Sequence, residues 1–468
     1  LVNREPPMKP SFAAIVLAAG EGTRMQSAVP KALHEIAGRP MLHHVLAALE
    51  PLGPSSIIVV LGPNTSSVAK AITPTMDNLR GPFGPVSVAI QQEPRGTGDA
   101  VRAAKSAIPP ILFVALGLTD VVILYGDAPL LQGETIARLI DTRRAAKAAI
   151  AVAGMRPADP GPYGRLVLGA DGGVERIVEA RDASPAEAAI TLCNGGIMAV
   201  AAEHLFDLVD RLETNNAKRE FYLTDIVAIA RQRGLAVTYA ELPAEEVLGV
   251  NTRAELAQAE ALMQDRLRRR AMEMGATLVA PETVFLSADT VLGRDVVIEP
   301  NVVFGPGVSI ADNVRIRSFS HLDGAKIDSF SVVGPYARLR PGAVLERDVH
   351  VGNFVEVKAT RLGPGVKASH LSYLGDSDVG AGTNIGAGTI TCNYDGVNKA
   401  RTIIGAHAFI GSNTALVAPV TVGDGAYVAT GSVITSDVPA DALAIARARQ
   451  VDKPGRAAQL RARLKAKK

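Results

Sequence analysis

The chain has 468 residues, 47% of them hydrophobic and 21% charged, with a formal net charge of +2. That length points to about three domains of roughly 150 residues, the composition excludes a disordered chain, and the near-balanced charge argues against a nucleic-acid partner. The two cysteines, Cys193 and Cys392, are far apart and lack metal-type spacing, which excludes a disulfide framework or a zinc site and fits a reducing, cytoplasmic setting.

The first ten residues carry charges and no apolar run of the kind a signal peptide needs. Beyond them lie short, nearly continuous apolar runs rich in β-branched residues: 12–17 (FAAIVL), Ser56–Leu61 (SIIVVL), Val86–Ile90 and 121–124. Such runs predict strands of a parallel sheet buried on both faces. Amphipathic stretches over Met41–Leu49 and 99–108 predict helices between them, and the alternation predicts a doubly wound, Rossmann-like α/β domain over 11–251. The most apolar stretch, 107–131, is broken by Pro109, Pro110, Asp120 and Asp127, which predicts one buried strand with flanking loops rather than a membrane span. Residues 252–275 predict a linker helix, with Thr252 as N-cap and Gly275 as the stop. Its run of Arg266, Arg268, Arg269 and Arg270 reads as a solvated face.

After the helix the period becomes six. Leu292, Ile298, Phe304, Ile310 and Ile316 are spaced in this way, as are Val333, Leu339, Leu345, Val351 and Val357, and later Ile404, Ile410, Leu416, Val422, Val428 and Ile434. A second small or apolar register follows each by four residues, and Gly, Asp or Asn occupy the corners. Hexapeptide repeats of this kind build a parallel β-helix, predicted over 276–446, in which stacked coils share one core. Residues 361–374 and 392–401 break the period, and insertions in repeat folds are places where function is carried.

The chemistry begins at LAAGEGTRM (17–25), which follows the first strand and precedes Pro30-Lys31. Gly20 and Gly22 permit close approach of a phosphate to backbone N–H groups, and Arg24 and Lys31 add positive charge. Met25 stands where G-x-G-x-x-G has its third glycine and no G-K-[ST] follows, so neither familiar nucleotide motif is present. Asp127 ends an apolar strand and should project from the carboxyl edge of the sheet, where ligand crevices of open α/β folds lie. Arg340 and Lys358 are eighteen residues apart, one coil of three hexapeptides, so they should stack on one side. Taken singly, Asp127 has a lesser reading as a loop cap before Pro129, whereas Asn251 alone reads as a turn residue or N-cap and a lone histidine such as His370 as structural.

The string LAAGEGTRMQSAVPKAL resembles the signature of sugar-phosphate nucleotidylyltransferases. The resemblance extends along nearly the whole chain to the bifunctional N-acetylglucosamine-1-phosphate uridylyltransferase / glucosamine-1-phosphate N-acetyltransferase family. It runs through Gln91, Gly96-Thr97, Tyr125-Gly126-Asp127, Gly164, Glu179, Asn194 and GVN (249–251), then through YARLRPG (336–342), HVGNFVEVK (350–358), HLSYLGD (370–376) and NIGAGTITCNYDG (384–396). The resemblance implies a left-handed β-helix and a homotrimer. It implies glucosamine-1-phosphate, acetyl-CoA, N-acetylglucosamine-1-phosphate and UTP as small-molecule substrates, and Mg²⁺ held by Asp127 and Asn251. A site for UTP and the sugar nucleotide is implied at Leu17, Ala18, Ala19, Gly20, Lys31, Gln91, Gly96, Thr97, Tyr125, Gly126, Asp127, Gly164, Glu179, Asn194 and Asn251, with Arg24 and Lys31 stabilising phosphate. In the second half it implies an amino-sugar-phosphate site at Arg340, Lys358, Tyr373 and Asn384, with His370 as general base. Acetyl-CoA contacts are implied at Ala387, Asn393, Tyr394, Ser412, Thr430 and Arg447. Asp376 is the rival base within the same string, though Gly375 and Ser377 beside it suggest a turn. Thr430 stands where the pattern usually has Ala, and Gly195 where it has Thr. The tail from Arg447 holds nine Lys or Arg residues and reads as a solvated end.

Two other readings use the same residues. One is a nucleotidylyltransferase whose β-helix serves assembly or regulation, against which His370, Arg340 and Lys358 stand. The other is a non-catalytic β-helical scaffold, which leaves LAAGEGTRM, GDAP and GVN unexplained.

Overall fold

The computed structural model describes residues 11–20, 22–63, 67–71, 86–216 and 218–466. The first ten residues, Glu21 of the glycine-rich string, and Lys467 and Lys468 of the tail lie outside the described residues. The chain forms two compact units whose boundary falls between Arg266 and Leu267, inside the helix Arg253–Glu273.

The first unit is built on a mixed sheet. Its strands are β1 (Ser11–Ala18), β4 (Ser56–Leu61), β5 (Val86–Ile90), β6 (Leu118–Tyr125), β7 (Ile150–Met155), β8 (Arg165–Leu168), β9 (Val174–Val178), β10 (Cys193–Ala201) and β11 (Val237–Glu241); β2 (Glu35–Ile36) and β3 (Arg39–Pro40) form a separate short hairpin. The sheet order is β11-β7-β10-β6-β1-β4-β5, with β8 pairing to β10 and β9 to β8. β6, β1, β4 and β5 run parallel, whereas β10 runs antiparallel between β6 and β7. The apolar runs are buried on both faces because successive side chains alternate. Ala13, Ile15 and Leu17 enter one core layer, while Phe12, Ala14 and Val16 enter the other. Helices occupy Met41–Leu49 and Thr97–Ala104. The stretch before β6 is not a loop as expected, for Pro110–Ala115 forms a short helix, with proline at its first position where a missing N–H costs nothing.

Asp120, within β6, is fully buried. It accepts hydrogen bonds from Arg143 Nε and, at 2.8 Å, from Arg144 Nε, both near the C-terminus of the helix Gly133–Ala145. Arg143 also donates to the Ala148 carbonyl at 2.8 Å, which ties helix, turn and sheet together.

The second unit is a parallel β-helix of three sheets with ten, eight and eight strands among the described residues. Coils of seventeen or eighteen residues bring like positions into register: Ile298 pairs with Ile316, Ile316 with Val333, Leu339 with Val357 and Leu416 with Ile434. The inward aliphatics form one continuous column. One corner carries Gly307, Gly324, Gly342, Ala359 and Asp376, all at positive φ.

Two expectations for this half need correction. Residues 361–374 are not an irregular excursion. Leu345 pairs with Leu362, Val351 with Ala368 and Val357 with Leu374, so a coil one residue shorter shifts the period without breaking it. By contrast, Thr391 pairs with Leu416, twenty-five residues on, and 393–401 form a true loop between strands. The arginines of the linker helix are not all solvated. Arg268 is buried and donates to the Pro281 carbonyl at 3.0 Å, and Arg266 donates to the Leu130 carbonyl at 2.9 Å. The tail forms an exposed helix over Arg456–Lys465.

Asp120→Ala should strip two arginines of their buried partner and lower the unfolding free energy of the first unit by about 3–5 kcal/mol. Urea unfolding followed by far-UV circular dichroism measures this.

Candidate active sites

The carboxyl ends of β1, β5 and β6 converge on a cavity of about 350 Å³ lined by Leu17, Ala18, Ala19, Gly20, Lys31, Gln91, Gly96, Thr97, Tyr125, Gly126, Asp127 and Asn251. Open space lies where a Cβ on Gly20 would point, leaving room for a ligand beside the backbone. At Gly22, φ is +66° and a Cβ would lie 2.5 Å from that of Lys31, so the glycine lets the lysine stem pass. Lys31 Nζ donates to Asp127 Oδ2 and, at 3.1 Å, to Asn251 Oδ1, which also accepts from Arg24 at 2.9 Å. Two cations, a carboxylate and an amide oxygen therefore meet at one point.

The position of Asn251 is fixed from the helix that follows it. Thr252 and Glu255 form a capping box: the Glu255 N–H donates to Thr252 Oγ1 at 3.2 Å, while Glu255 Oε2 accepts from the N–H groups of Thr252 and Asn251 at 2.8 and 2.7 Å. The Val250 N–H donates to the Asp127 carbonyl at 2.9 Å and joins the two loops. Gln91 is buried and its amide nitrogen donates to the Gly96 carbonyl and to Asp99 Oδ2, both at 3.0 Å, so its carbonyl end is the one free to read a ligand. Sequence reading missed Glu255 and Asp99. The T-x-x-E spacing at 252–255 could have revealed the first, whereas no local pattern reveals the second.

A second cavity of about 460 Å³ shares Thr97, Tyr125, Asp127 and Asn251 and extends to Gly164, Glu179, Asn194 and Gly195. Asn194 Oδ1 accepts from the Gly196 N–H at 3.0 Å, which leaves its NH₂ free. Glu179 accepts from Thr224 Oγ1 at 3.2 Å. The Tyr125 hydroxyl is held protonated by burial and then by Asp127 and Glu179, so it acts as a neutral donor. Apart from Arg24, which reaches the site through its hydrogen bond to Asn251, the sequence-predicted residues of the first half line two adjoining cavities in one unit.

In the β-helix, Arg340 falls one coil below Lys358, as the pairing of Leu339 with Val357 requires, and Tyr373 lies one coil above Glu356. Arg340 donates to Glu356 at 2.8 Å. His370 ends the strand Lys367–His370 and is exposed, with Nδ1 2.9 Å from Asn353 Oδ1 on the coil below. An amide oxygen only accepts, so this contact suits the neutral tautomer with its proton on Nδ1 and its lone pair on Nε2. Sequence reading missed Asn353 because the coil pairing that aligns it with His370 spans seventeen residues. Extending the pairs Ala368–Ile385, Ile385–Ile410 and Ile410–Val428 by two residues puts Ala387, Ser412 and Thr430 in one column above His370. Arg447 closes the column by donating to the Thr430 carbonyl at 2.9 Å. Asn384 stands on the same sheet, paired with Lys367 and Phe409, and Tyr394 projects from the 393–401 loop. Asp376 is already engaged by Asn393 Nδ2 and lies 3.8 Å from Lys358 Nζ, which makes it a poor rival to His370 as a base.

Comparison with known proteins bears on both halves. Residues 14–232 match the MobA-like NTP transferase domain, 289–324 the bacterial transferase hexapeptide (six repeats), and 401–436 the hexapeptide repeat of succinyl-transferase. Proteins described as bifunctional protein GlmU from Xanthobacter autotrophicus, Azorhizobium caulinodans and Paramagnetospirillum magneticum are 56%, 53% and 50% identical to the chain, covering 97%, 97% and 98% of it and 98% of each relative. The chain belongs to the bifunctional GlmU family. It is a bifunctional enzyme, a nucleotidyltransferase followed by an acyltransferase on a left-handed β-helix of hexapeptide repeats. Of the two departures from the family pattern, Gly195 has no room for a larger residue without adjustment, since a Cβ there would lie 3.0 Å from Val247 and 3.3 Å from Ala153. Thr430 meets Arg447 through its carbonyl, a contact any residue supplies. No helix among the described residues is long and apolar enough to cross a membrane.

Asp225 follows Thr224, which lines the second cavity. Burial, then the charges of Glu179 and Asp182, push its carboxyl up to about 6. An unfolded aspartate titrates near 3.9, so between about pH 4 and 6 the folded state retains a proton that the unfolded chain has shed. Stability then falls as pH rises through that window, and the penalty is fully in force above it. Asp225→Asn should therefore raise the melting temperature at pH 8, with the gain shrinking to nothing below about pH 4; calorimetry across pH tests the sign.

Proposed function

We propose that the second unit transfers an acetyl group from acetyl-CoA to glucosamine-1-phosphate, and that the first unit then joins N-acetylglucosamine-1-phosphate to the uridylyl group of UTP with release of pyrophosphate. One observation carries this reading: a single chain holds, in separate units, a carboxylate–cation cluster suited to phosphoryl chemistry and a histidine whose outer nitrogen is free to act as a base.

For uridylyl transfer, a phosphate oxygen of the sugar phosphate attacks the α-phosphorus of UTP in line and the β-phosphate oxygen leaves. Charge neutralisation and positioning supply most of the rate. Arg24 and Lys31 face the triphosphate, the carbonyl end of Gln91 with the Gly96-Thr97 backbone reads the uracil, and Glu179 and the NH₂ of Asn194 hold sugar hydroxyls. Asp127 and Asn251 fit Mg²⁺: both offer hard oxygens, and those oxygens already share one cation, the Lys31 ammonium. When bound there, the metal supplies charge neutralisation on the phosphates.

For acetyl transfer, the glucosamine ammonium must lose a proton before its nitrogen can attack the thioester carbonyl. His370 Nε2 takes that proton, with Nδ1–H anchored on Asn353. Arg340 and Lys358 bind the phosphate, and Tyr373 and Asn384 contact the sugar. The N–H of Ala387, which no backbone carbonyl among the described residues accepts, suits the developing oxyanion one coil above. Asn393, Tyr394, Ser412, Thr430 and Arg447 receive the coenzyme, with Arg447 suited to a CoA phosphate. The flat outer faces of the coils favour a closed homotrimer, and the free thiols of Cys193 and Cys392 suit a cytoplasmic enzyme.

Asp127→Ala should abolish uridylyl transfer and leave acetyl transfer nearly intact, and His370→Ala should do the reverse. Pyrophosphate release and CoA-thiol release on each variant report the two reactions; silencing of both by one change in a folded protein refutes two independent sites. His370→Asn should lower the acetyl-transfer kcat by ~10²–10⁴-fold, with partial recovery toward pH 9.5 where more of the amine is free; equal loss at every pH with collapsed CoA binding would mark the histidine as structural. Light scattering should give three times 48.8 kDa, and an active monomer would rule out the trimer.

A further inference from the structure

Asp376 sits where a repeat corner ordinarily carries glycine. Below it on the same corner are Gly307, Gly324, Gly342 and Ala359, and like them it has positive φ, here +49°. Aspartate tolerates that conformation less well than glycine, so its presence calls for a reason. The corner itself does not need the carboxylate: the main chain is held by the Asp376 N–H donating to the Lys358 carbonyl at 3.0 Å and by its carbonyl accepting from Thr402 N–H at 3.3 Å.

The carboxylate reaches two side chains that the acetyl-transfer site uses. Oδ2 accepts from Asn393 Nδ2 and lies 3.8 Å from Lys358 Nζ. Asn393 opens the 393–401 loop, and its carbonyl accepts from the Ala400 N–H at 2.9 Å across the base of that loop. Lys358 belongs to the column of Arg340, on the phosphate side. Gly375, beside Asp376, leaves room for the Tyr373 hydroxyl, which a Cβ there would meet. One half-buried carboxylate thus faces the phosphate-binding lysine and the foot of the coenzyme-side loop at once.

We infer that Asp376 is a positioning residue for acetyl transfer, which aims the Lys358 ammonium at the sugar phosphate and pins Asn393, and with it the 393–401 loop, at the acetyl-CoA side. It does not touch the reacting atoms. Its negative charge sets the lysine's direction, and its oxygen, which an amide reproduces, sets the asparagine's. The inference rests on the acetyltransferase reading of this site.

Two substitutions separate the roles. Asp376→Asn keeps an oxygen for Asn393, tolerates the left-handed corner and removes the charge. The KM for glucosamine-1-phosphate should rise about tenfold, the scale of one charge-assisted contact, while the KM for acetyl-CoA and kcat stay within about twofold. Asp376→Gly keeps the corner conformation and removes both contacts, so both KM values should rise about tenfold. Uridylyl transfer, measured on the same preparations, should be unchanged in each and shows that the chain is folded. Unchanged KM values in both variants overturn the inference. A loss confined to kcat that is relieved at high pH also overturns it, because Asp376 would then be the base. A wild-type protein that releases no CoA thiol with glucosamine-1-phosphate refutes the acetyltransferase reading itself, and this inference falls with it.

Discussion

Parallel main-chain pairing in a fixed register is the constraint on which everything else in this protein depends. In the first unit it aligns the carboxyl ends of β1, β4, β5 and β6 on one edge, so that Gly20, Gln91 and Asp127, distant in sequence, reach the same cavity. In the second it sets each coil directly over the last, so that a residue in one hexapeptide finds its partner seventeen, eighteen or twenty-five positions on. Side-chain chemistry is then a matter of what the ladder places side by side. His370 meets Asn353 across one paired rung, while Glu356, paired with Arg338, meets Arg340 on the diagonal.

The two sites manage charge in a similar way. No anionic substrate is needed to organise either, because the cations are already held by acceptors from the chain: Lys31 by Asp127 and Asn251, Arg24 by Asn251, Arg340 by Glu356, Lys358 by Asp376. Holding them in place reduces the ordering that ligand binding must impose. Any anion that approached these cations would have to compete with the acceptors that already hold them.

Much of this was legible in the sequence. Runs buried on both faces announced the sheet, and the period of six announced the coils, since each depends on spacing alone. The motif strings singled out Lys31, Asp127 and Asn251, which the fold brings together, and His370, which it sets against Asn353. What escaped depends on tertiary placement. Arg268 looks like part of a charged run, yet its guanidinium is buried against the Pro281 carbonyl. The helix Pro110–Ala115 is too short to show a period, and Pro110 with Pro109 just before it reads as a loop signal. A single missing residue before Leu362 gives the appearance of a long irregular segment, because a slip of one moves every later position off the six-residue grid while the pairing continues. Asn353, Asp99 and Glu255 act on residues already identified, through hydrogen bonds that only the folded chain makes evident.

The 393–401 loop leaves the stack and returns to it without disturbing it. Thr391 pairs with Leu416 across the insertion, and above it Leu416 pairs with Ile434 in the ordinary step of one coil. Such a segment is modular: its length and composition can change while the columns above and below keep their alignment. Selection, or an engineer, is therefore free to exchange this one loop, and with it the surface that Tyr394 presents, with the load-carrying stack left as it is.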